Sequence, residues 1–346
     1  IALTSQKLDN ERRVKPGDEI ITVAAGFPTT IFPIIQARGV PVFVDIELDT
    51  YNIETKELDN ALSNKTKAVI LAHTLGNPFD IDKVKQFCDK NKLWLIEDNC
   101  DALGSKYYNK YTGTFGDIST YSFYPAHHIT MGEGGALITN NLKLHKIIKS
   151  LREWGRDCWC DPGKDNTCNK RFDWHLGTLP YGYDHKFTYS EFGYNLKITD
   201  MQAAIGLAQL RKLPQFIKAR KNNHKRLFEG LKHLKDKIIL PKTQPNSDPS
   251  WFGFLLTLKD GNRLSRTEIM RKLDERKIQS RLLFAGNIIR QPVFNNMRES
   301  KKDFKVIGDL INTDKVMNDS FWVGVYPGMN DEKIDYMISQ INELLK

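Results

Sequence analysis

The sequence predicts an α/β fold built on a mostly parallel β-sheet, and two observations support that prediction. Residues 18–125 contain four short apolar runs rich in Val and Ile: DEIITVAA, VPVFVDI, KAVILAH and LWLIED. Such runs are typical of strands that are buried on both faces. Amphipathic helical patterns separate them, and this strand–helix alternation indicates parallel strands with helices on both sides of the sheet.

The predicted elements follow one another from the N-terminus. The opening segment IALTSQKLDN has a helical pattern and no methionine, so we expect a chain without its natural N-terminus. A helix is predicted over 80–91, where apolar residues fall three apart, and two further strands over 119–124 and 136–139. A long irregular stretch over 157–194 follows, and a loop of this length is usually functional or disordered.

The second half of the sequence predicts one strong helix and a smaller domain. Thr199 opens a helix that runs through Leu213, and the chain ends in a helix over 331–345. We therefore predict a large domain over 1–222 and a smaller α/β domain over 223–346. The sequence contains no GxGxxG fingerprint, which argues against a dinucleotide site of the Rossmann type.

Composition and charge limit the classes of function. Of the 346 residues, 40% are hydrophobic and 27% are charged, as in ordinary globular proteins. There is no apolar run long enough to span a membrane and no signal-peptide pattern, so we expect a cytoplasmic protein without membrane contact. The net charge of +9 comes without a nucleic-acid motif, which favours a solvated basic surface or attraction of an acidic small substrate.

The cysteines are five in number: Cys88, Cys100, Cys158, Cys160 and Cys168. An odd count without a signal peptide argues against disulfides and for a reducing compartment, where clustered cysteines are better interpreted as metal ligands. Cys88 lies in the predicted helix and is expected in the core. The other four are separated by 57, one and seven residues. Four thiolates suit zinc or an iron–sulfur cluster, and coordination alone does not decide between them.

The segment SFYPAHHITMGEGG, which begins at Ser122, resembles the cofactor segment of the DegT/DnrJ/EryC1/StrS family of sugar aminotransferases. In that family the pattern is Ser-Phe, three residues, a lysine and then a glycine-rich turn. Aligning Ser122 and the turn puts His127 on the lysine position. The resemblance covers nearly the whole chain. It implies the type I, aspartate-aminotransferase-like fold of enzymes that use pyridoxal phosphate (PLP), working as a homodimer.

A histidine at this position changes the expected chemistry. Lysine would form a Schiff base with PLP, whereas imidazole forms no stable aldimine but exchanges protons near neutral pH. We therefore expect pyridoxamine phosphate (PMP), held without a covalent bond, and His127 as the base. The adjacent His128 is an alternative base, and a purely structural histidine is the other interpretation.

Further cofactor contacts are implied by the resemblance. Asp98 ends the LWLIED strand, where the family pairs an aspartate with the pyridine nitrogen and so makes the ring an electron sink. Asp101 stands where these aminotransferases usually carry Gln or His, and we expect it to take part in catalysis. The other implied contacts are ring stacking by Phe27, phosphate binding by Ser122, a phosphate contact from the other subunit by Asn195, and side chains facing the cofactor at Tyr124 and Phe252. Tyr124 is also expected to take part in catalysis, by positioning the base or quenching a radical. For Phe27 and Tyr124, a place in the core is also consistent with the sequence.

The cysteine spacing resembles that of the 3-dehydrase branch of the family, which acts in 3,6-dideoxyhexose synthesis for lipopolysaccharide O-antigens. In that branch four thiolates hold a [2Fe–2S] cluster, here Cys100, Cys158, Cys160 and Cys168. Zinc has no redox chemistry, whereas a dehydrase that receives electrons needs a redox centre. The resemblance implies C3 deoxygenation of a nucleotide-linked 4-keto-6-deoxyhexose, expected to be the CDP sugar. An NADH-dependent flavin and iron–sulfur reductase would supply the electrons.

Three alternatives stay open at this point. The first is a cluster-free 3-dehydratase of the GDP-colitose type, and the second is an aminotransferase proper, which the missing lysine opposes. The third is a non-catalytic cofactor-binding regulator or a scaffold with structural zinc. Arg281 and Arg290 are equally consistent with gripping a substrate diphosphate and with a solvated surface.

Overall fold

The computed structural model describes residues 1–158, 160, 163–300 and 302–346. The strands are β1 (Glu19–Val23), β2 (Val40–Val44), β3 (Thr66–Ala72), β4 (Trp94–Asp98), β5 (Lys106–Tyr107), β6 (Lys110–Tyr111), β7 (Ile118–Ser122), β8 (Gly135–Ile138), β9 (Ile238–Ile239), β10 (Ser247–Asp248), β11 (Gly253–Leu258), β12 (Ser280–Arg281), β13 (Lys305–Val306) and β14 (Ser320–Gly324). The α-helices are α1 (Pro28–Gln36), α2 (Leu58–Ala61), α3 (Ile81–Lys90), α4 (Leu142–Arg152), α5 (Asp200–Leu210), α6 (Leu213–Leu231), α7 (Arg266–Glu275), α8 (Asn295–Ser300), α9 (Ile311–Asp319) and α10 (Asp331–Leu344).

The large sheet has the strand order β13-β2-β1-β3-β4-β7-β8 among the described residues. Its strands pair in parallel, except that β8 runs antiparallel to β7 at one edge. All five side chains of β1 are buried, as expected for a strand covered on both faces. The predicted mostly parallel α/β fold is therefore confirmed.

The helices begin and end where local signals place them. Asp80 caps α3 by accepting a hydrogen bond from the Lys83 backbone N–H, and the helix buries Cys88 on its apolar face, as predicted. Thr199 caps α5 in a capping box with Gln202. The predicted helix through Leu213 is nevertheless wrong at its end. A new helix starts there, because Pro214 is favoured in the first turn of a helix and disrupts a helix interior.

The predicted helix in the first ten residues is also wrong. Only Ala2–Thr4 form a short 3₁₀ turn, and the residues that follow are turns and irregular backbone. The apolar side chains of this segment, Leu3 and Leu8, pack in a core cluster with Leu144 of α4. Their spacing therefore reflects contacts of an irregular segment with a neighbouring helix rather than a helix of its own. The described part of 157–194 is irregular as predicted, with one 3₁₀ turn at His185–Phe187.

A second sheet, in the order β12-β14-β11-β9, forms a separate core with α6, α7 and α10. The chain then returns to the large sheet, because β13 pairs with β2 and Phe294 packs on Phe43. The division at 222/223 therefore stays a prediction, since part of the later chain contacts the earlier sheet. Within the described residues, no helix combines the length and the apolar character needed to cross a membrane.

Candidate active site

Asp98 lies at the carboxyl end of β4, the edge where ligands collect in open α/β sheets. Three donors fix its carboxylate. The Thr30 hydroxyl donates to Oδ2 at 2.5 Å, while the Cys100 backbone N–H and the Thr120 hydroxyl donate to Oδ1 at 3.2 and 3.3 Å. The side chain is therefore held in one orientation at the end of the strand. Sequence reasoning missed Thr30, which stands in α1 three residues after Phe27.

His127 faces a second carboxylate. Its backbone N–H donates to the Tyr124 carbonyl at 2.9 Å, closing a tight turn after β7. The imidazole Nδ1 lies 3.4 Å from Oδ1 of Asp101, within ion-pair distance but outside hydrogen-bond geometry. The ring is tilted against Phe252 at a centroid distance of 5.2 Å. Two predicted catalytic residues and one predicted cofactor-facing residue thus meet in one place.

Burial controls the protonation of this group. Burial raises the pKa of Asp101 to about 8, the negative charge of Asp98 adds to this effect, and the Arg220 guanidinium opposes it. Burial also lowers the pKa of His127 below its ordinary value, with Arg220 acting in the same direction and Asp98 against it. The imidazole is therefore neutral at neutral pH, the form in which a histidine accepts a proton.

Arg220 is a site residue that sequence reasoning missed. It is 3% exposed on α6, and its guanidinium donates to the Trp251 and Phe252 carbonyls at 3.3 Å each. Burial lowers its pKa to about 10, and the Asp101 carboxylate opposes that shift. One signal could have revealed it, because this arginine falls on the same face of α6 as Leu227 and Leu231, at helical spacing. A charged residue on such a face usually has a buried partner.

His128, the alternative base, points elsewhere. It is 2% exposed, and its Nε2 donates to the Ser250 carbonyl at 2.8 Å. Burial lowers its pKa well below the ordinary value for histidine. The ring also lies against Phe252 at a centroid distance of 6.0 Å. These contacts fit a packing role and leave His127 as the histidine beside Asp101.

The remaining predicted residues are spread around the site. Tyr124 is half exposed and meets the His127 ring edge-on at 6.4 Å, and the Ser122 hydroxyl accepts a hydrogen bond from the Tyr124 backbone N–H at 3.2 Å. Phe27 is 48% exposed at the start of α1, so it is not a core residue. Asn195 is exposed, and its side-chain oxygen accepts from Lys197 Nζ at 3.1 Å.

A cleft of about 1410 Å³ opens beside His127 and is lined by several basic side chains. Arg281 lies in its wall, and the contacts described for its guanidinium are the Ser280 carbonyl and the Gln279 side chain, neither of them acidic. Arg290 differs, because it donates two hydrogen bonds to the Asp314 carboxylate. Of the two arginines considered for a diphosphate, Arg281 therefore faces the cleft, whereas Arg290 is held in an ion pair.

The cysteines divide into two places. The ligand atoms of Cys158, Cys160 and His185 lie within 4.8 Å of one another, and Cys168 Sγ is 3.4 Å from His185 Nε2. Cys100 instead follows β4, with its Sγ 3.9 Å from the Thr120 hydroxyl. Burial and the nearby Asp98 raise the pKa of the Cys100 thiol above its ordinary value. Among the described residues, two of the four predicted ligands thus meet at His185, and Cys168 approaches the same histidine.

Comparison with known proteins decides the family. The sequence matches the DegT/DnrJ/EryC1/StrS aminotransferase family over residues 2–342. The chain belongs to this family.

Two relatives of the family show how similar the chain is to known members. It is 56% identical over 342 residues to the lipopolysaccharide biosynthesis protein RfbH of Salmonella typhimurium, covering 99% of this chain and 77% of the relative. It is 54% identical over 344 residues to the dTDP-4-dehydro-2,6-dideoxy-D-glucose 3-dehydratase of Saccharopolyspora spinosa, covering 99% of this chain and 73% of the relative.

A solved structure of the family extends the similarity to the fold. The Escherichia coli GDP-4-keto-6-deoxy-D-mannose-3-dehydratase with bound hydrated PLP matches with a TM-score of 0.83 and 28% identity, covering 100% of this chain and 83% of that one. The predicted family and the predicted type I fold are both confirmed.

The residues at the site fit the cofactor of this family. A carboxylate held by three donors at the end of a central strand suits a protonated pyridine nitrogen, and the exposed Phe27 ring is available for stacking. The family's lysine position carries His127, so the site offers no amine there for a Schiff base. Asp98, Asp101 and His127 thus lie close enough to influence one another's protonation, and the buried Arg220 guanidinium opposes the effect of Asp98 on both Asp101 and His127.

Proposed function

We propose that this chain removes the C3 hydroxyl group from a nucleotide-linked 4-keto-6-deoxyhexose in a PMP-dependent reaction. The observation that carries the proposal is the histidine at the family's lysine position, with its Nδ1 facing a buried aspartate. Support also comes from the relatives, because one at 54% identity and one structural neighbour are named as nucleotide-sugar 3-dehydratases. The expected pathway is 3,6-dideoxyhexose synthesis for lipopolysaccharide.

PMP, when bound, supplies an amine for the substrate ketone and an electron sink in its ring. Asp98 would hold the ring nitrogen protonated, which favours electron withdrawal. His127 would accept a proton from C4′ at Nε2, because its other nitrogen faces Asp101 and its lowered pKa keeps the imidazole neutral. The same residue can then return a proton to the departing C3 hydroxyl, which leaves as water. Asp101 lies beside the other ring nitrogen, and Tyr124 packs edge-on beside the ring.

The substrate would lie in the basic cleft. Arg281 is the side chain best suited to a diphosphate, since its guanidinium can offer two parallel hydrogen bonds and its described contacts include no carboxylate. Lys277 and Lys333 line the same cleft and add positive charge. The CDP sugar remains the expected substrate from the sequence resemblance, whereas the relatives are named for dTDP and GDP sugars.

A homodimer is part of the proposal. No residue of α5 is buried in the single chain, although its sequence, DMQAAIGLAQL, is largely apolar. The neighbouring stretch exposes further large side chains, among them Phe192, Leu196 and Met201. An apolar surface of this kind usually marks an interface with another chain. Asn195 stands in this surface, which supports its predicted contribution to the other subunit's cofactor site.

The complete deoxygenation needs two electrons after water is lost, and we propose that a [2Fe–2S] centre relays them from an NADH-dependent flavin and iron–sulfur reductase. The group of Cys158, Cys160 and Cys168 supports a thiolate-bound centre, because thiolates are the ligands that iron–sulfur clusters use. Cys100 was predicted as the fourth ligand and lies apart from the other three in the single chain.

Isotope exchange tests the proposed activity directly. The protein loaded with PMP and given CDP-4-keto-6-deoxyglucose in deuterated water should exchange the C4′ hydrogen and release water from C3. A 4-amino sugar as the main product would instead identify an aminotransferase. Tight cofactor binding without exchange, for the CDP, dTDP and GDP sugars alike, would favour the non-catalytic alternative.

A further inference from the structure

Arg220 is a buried cation in the wall of the cleft, beside His127 and Phe252. Its Nη1 donates to the Trp251 and Phe252 carbonyls, and its buried Nε has no hydrogen-bond partner among the described residues. No carboxylate in the described part of the chain lies within ion-pair distance of the guanidinium. Because a buried charge without a close carboxylate partner weakens a fold, packing alone does not account for an arginine at this position.

The two carbonyls belong to residues 250–252, which we call the bridging segment because it leads from the large sheet to β11. Its first residue accepts a hydrogen bond from His128 Nε2 through its carbonyl and donates to the Ser105 hydroxyl through its N–H, both at 2.8 Å. The N–H of its last residue donates to the Leu75 carbonyl at 2.8 Å. Arg220 donates to the other two carbonyls at 3.3 Å each. Buried hydrogen bonds to distant parts of the chain therefore fix this segment.

The bridging segment carries the aromatic ring that packs against the proposed base. The Phe252 ring centroid lies 5.2 Å from that of His127 and 5.8 Å from the guanidinium carbon of Arg220. A shift of the segment would move the surface against which the imidazole packs. A base that turns away from its proton loses rate steeply, because proton transfer requires hydrogen-bond distance and alignment.

We propose that Arg220 is a positioning residue for His127, because it holds the bridging segment in the place that sets Phe252 against the imidazole. Its positive charge also disfavours protonation of that imidazole, and only the neutral ring acts as a base. The inference rests on the proposed role of His127 in the reaction.

Other groups around the imidazole act on its protonation as well. The titratable and charged groups that surround it are Asp98 at the end of β4, Asp101 just after it, Tyr124 and His128 in its own loop, and Arg220 on α6. Burial lowers the pKa of His127, Asp98 opposes this effect, and Arg220 adds to it. Loss of the guanidinium charge should therefore raise the pKa of His127.

Two substitutions test the role of Arg220 in the PMP-loaded protein. Arg220→Gln removes the charge and shortens the side chain, so C4′ exchange at saturating sugar should fall by about 10- to 100-fold, with a smaller change in KM. Arg220→Lys keeps the charge and one donor group and should recover part of the rate. Lys225→Met removes a positive charge from the exposed face of the same helix and should match the wild type.

Titration of His127 provides a measurement that a purely structural arginine would not change. Nuclear magnetic resonance of protein with labelled histidines follows the imidazole, and the signal missing from His127→Asn assigns it. The pKa of His127 should rise in Arg220→Gln and stay close to the wild-type value in Arg220→Lys, and the acid limb of the pH profile for exchange should move to higher pH in Arg220→Gln alone. Full exchange or an unchanged pKa of His127 in Arg220→Gln would overturn the inference.

A further variant and the wild type keep the outcomes distinct. If Arg220→Gln fails to fold, Arg220→Met fills the same space without burying an unpaired amide, and the same rise in the pKa of His127 is expected. A wild type without exchange, together with a raised pKa of His127 in the neutral variant, would refute the proposed function and leave the action of Arg220 on His127 standing. A wild type with exchange, and a neutral variant with the same rate and the same pKa, would refute the inference and leave the proposed function standing.

Discussion

The buried carboxyl group of Asp101 should make the fold less stable as the pH rises. Its pKa is raised to about 8 in the folded protein, against an ordinary value of 3.8. The folded state therefore holds a proton that the unfolded chain has already released between these two values. By linkage, the free energy of unfolding falls as the pH rises from about 4 to about 8 and levels off above that. Asp101→Asn cannot ionise and should remove this pH dependence.

The size of the effect follows from the same numbers. The pKa of Asp101 differs between the folded and unfolded states by about four units, and each unit is worth about 1.4 kcal/mol. Ionisation of Asp101 can therefore lower the free energy of unfolding by at most about 6 kcal/mol. Arg220 loses its partner in Asp101→Asn, and local relaxation lowers the cost of a buried charge. We therefore expect Asp101→Asn to be more stable than the wild type by about 2–4 kcal/mol at pH 8.

Chemical denaturation of the cofactor-free protein at a series of pH values measures this difference. The gain in stability of Asp101→Asn should grow steadily between pH 4.5 and pH 8. Asp236→Asn makes the same chemical change on the exposed surface and should follow the wild type throughout. A difference that does not vary with pH, or an Asp101→Asn protein that loses stability relative to wild type as the pH rises, would refute the electrostatic reasoning. A stabilising change at a site residue would also indicate that Asp101 is kept for activity.

Three further predictions concern the base, the cleft and the interface. His127→Asn should slow C4′ exchange by about 10²–10⁴-fold, the usual effect of losing a general base, while His127→Lys should form a borohydride-trappable adduct with PLP; full exchange in His127→Asn would point to another base. Arg281→Ala should raise the KM for the nucleotide sugar by at least about tenfold with a smaller change in kcat, since one bidentate charged contact is worth about 1.5–3 kcal/mol; an unchanged KM would place the diphosphate elsewhere. Leu207→Glu on the exposed face of α5 should shift the protein from dimer to monomer in sedimentation, and a wild type that is monomeric at micromolar concentration would contradict the interface.

The sequence alone was enough for the features that depend on neighbouring residues. The strands β1 to β4 and the helix α3 were predicted closely. A strand that is buried on both faces appears as a continuous apolar run, whereas a helix that is buried on one face has apolar residues three or four positions apart. The cofactor segment also lies in one short stretch, so the prediction for His127 depends only on its position relative to Ser122 and the glycine turn. The family followed from the same stretch and is confirmed over nearly the whole chain.

Tertiary structure alone decided the contacts between distant segments. Arg220 acts on the pKa of Asp101 because folding brings α6 close to the segment that follows β4, and periodicity within α6 does not say which group its buried arginine faces. The spacing of four cysteines predicted one centre, and it did not predict that His185 would lie beside Cys158, Cys160 and Cys168 or that Cys100 would lie beside Thr120 in the single chain. Arg290 likewise faces Asp314 rather than the cleft. Ligands and ion pairs form between side chains that folding brings within a few ångströms, and separation along the chain carries no information about that distance.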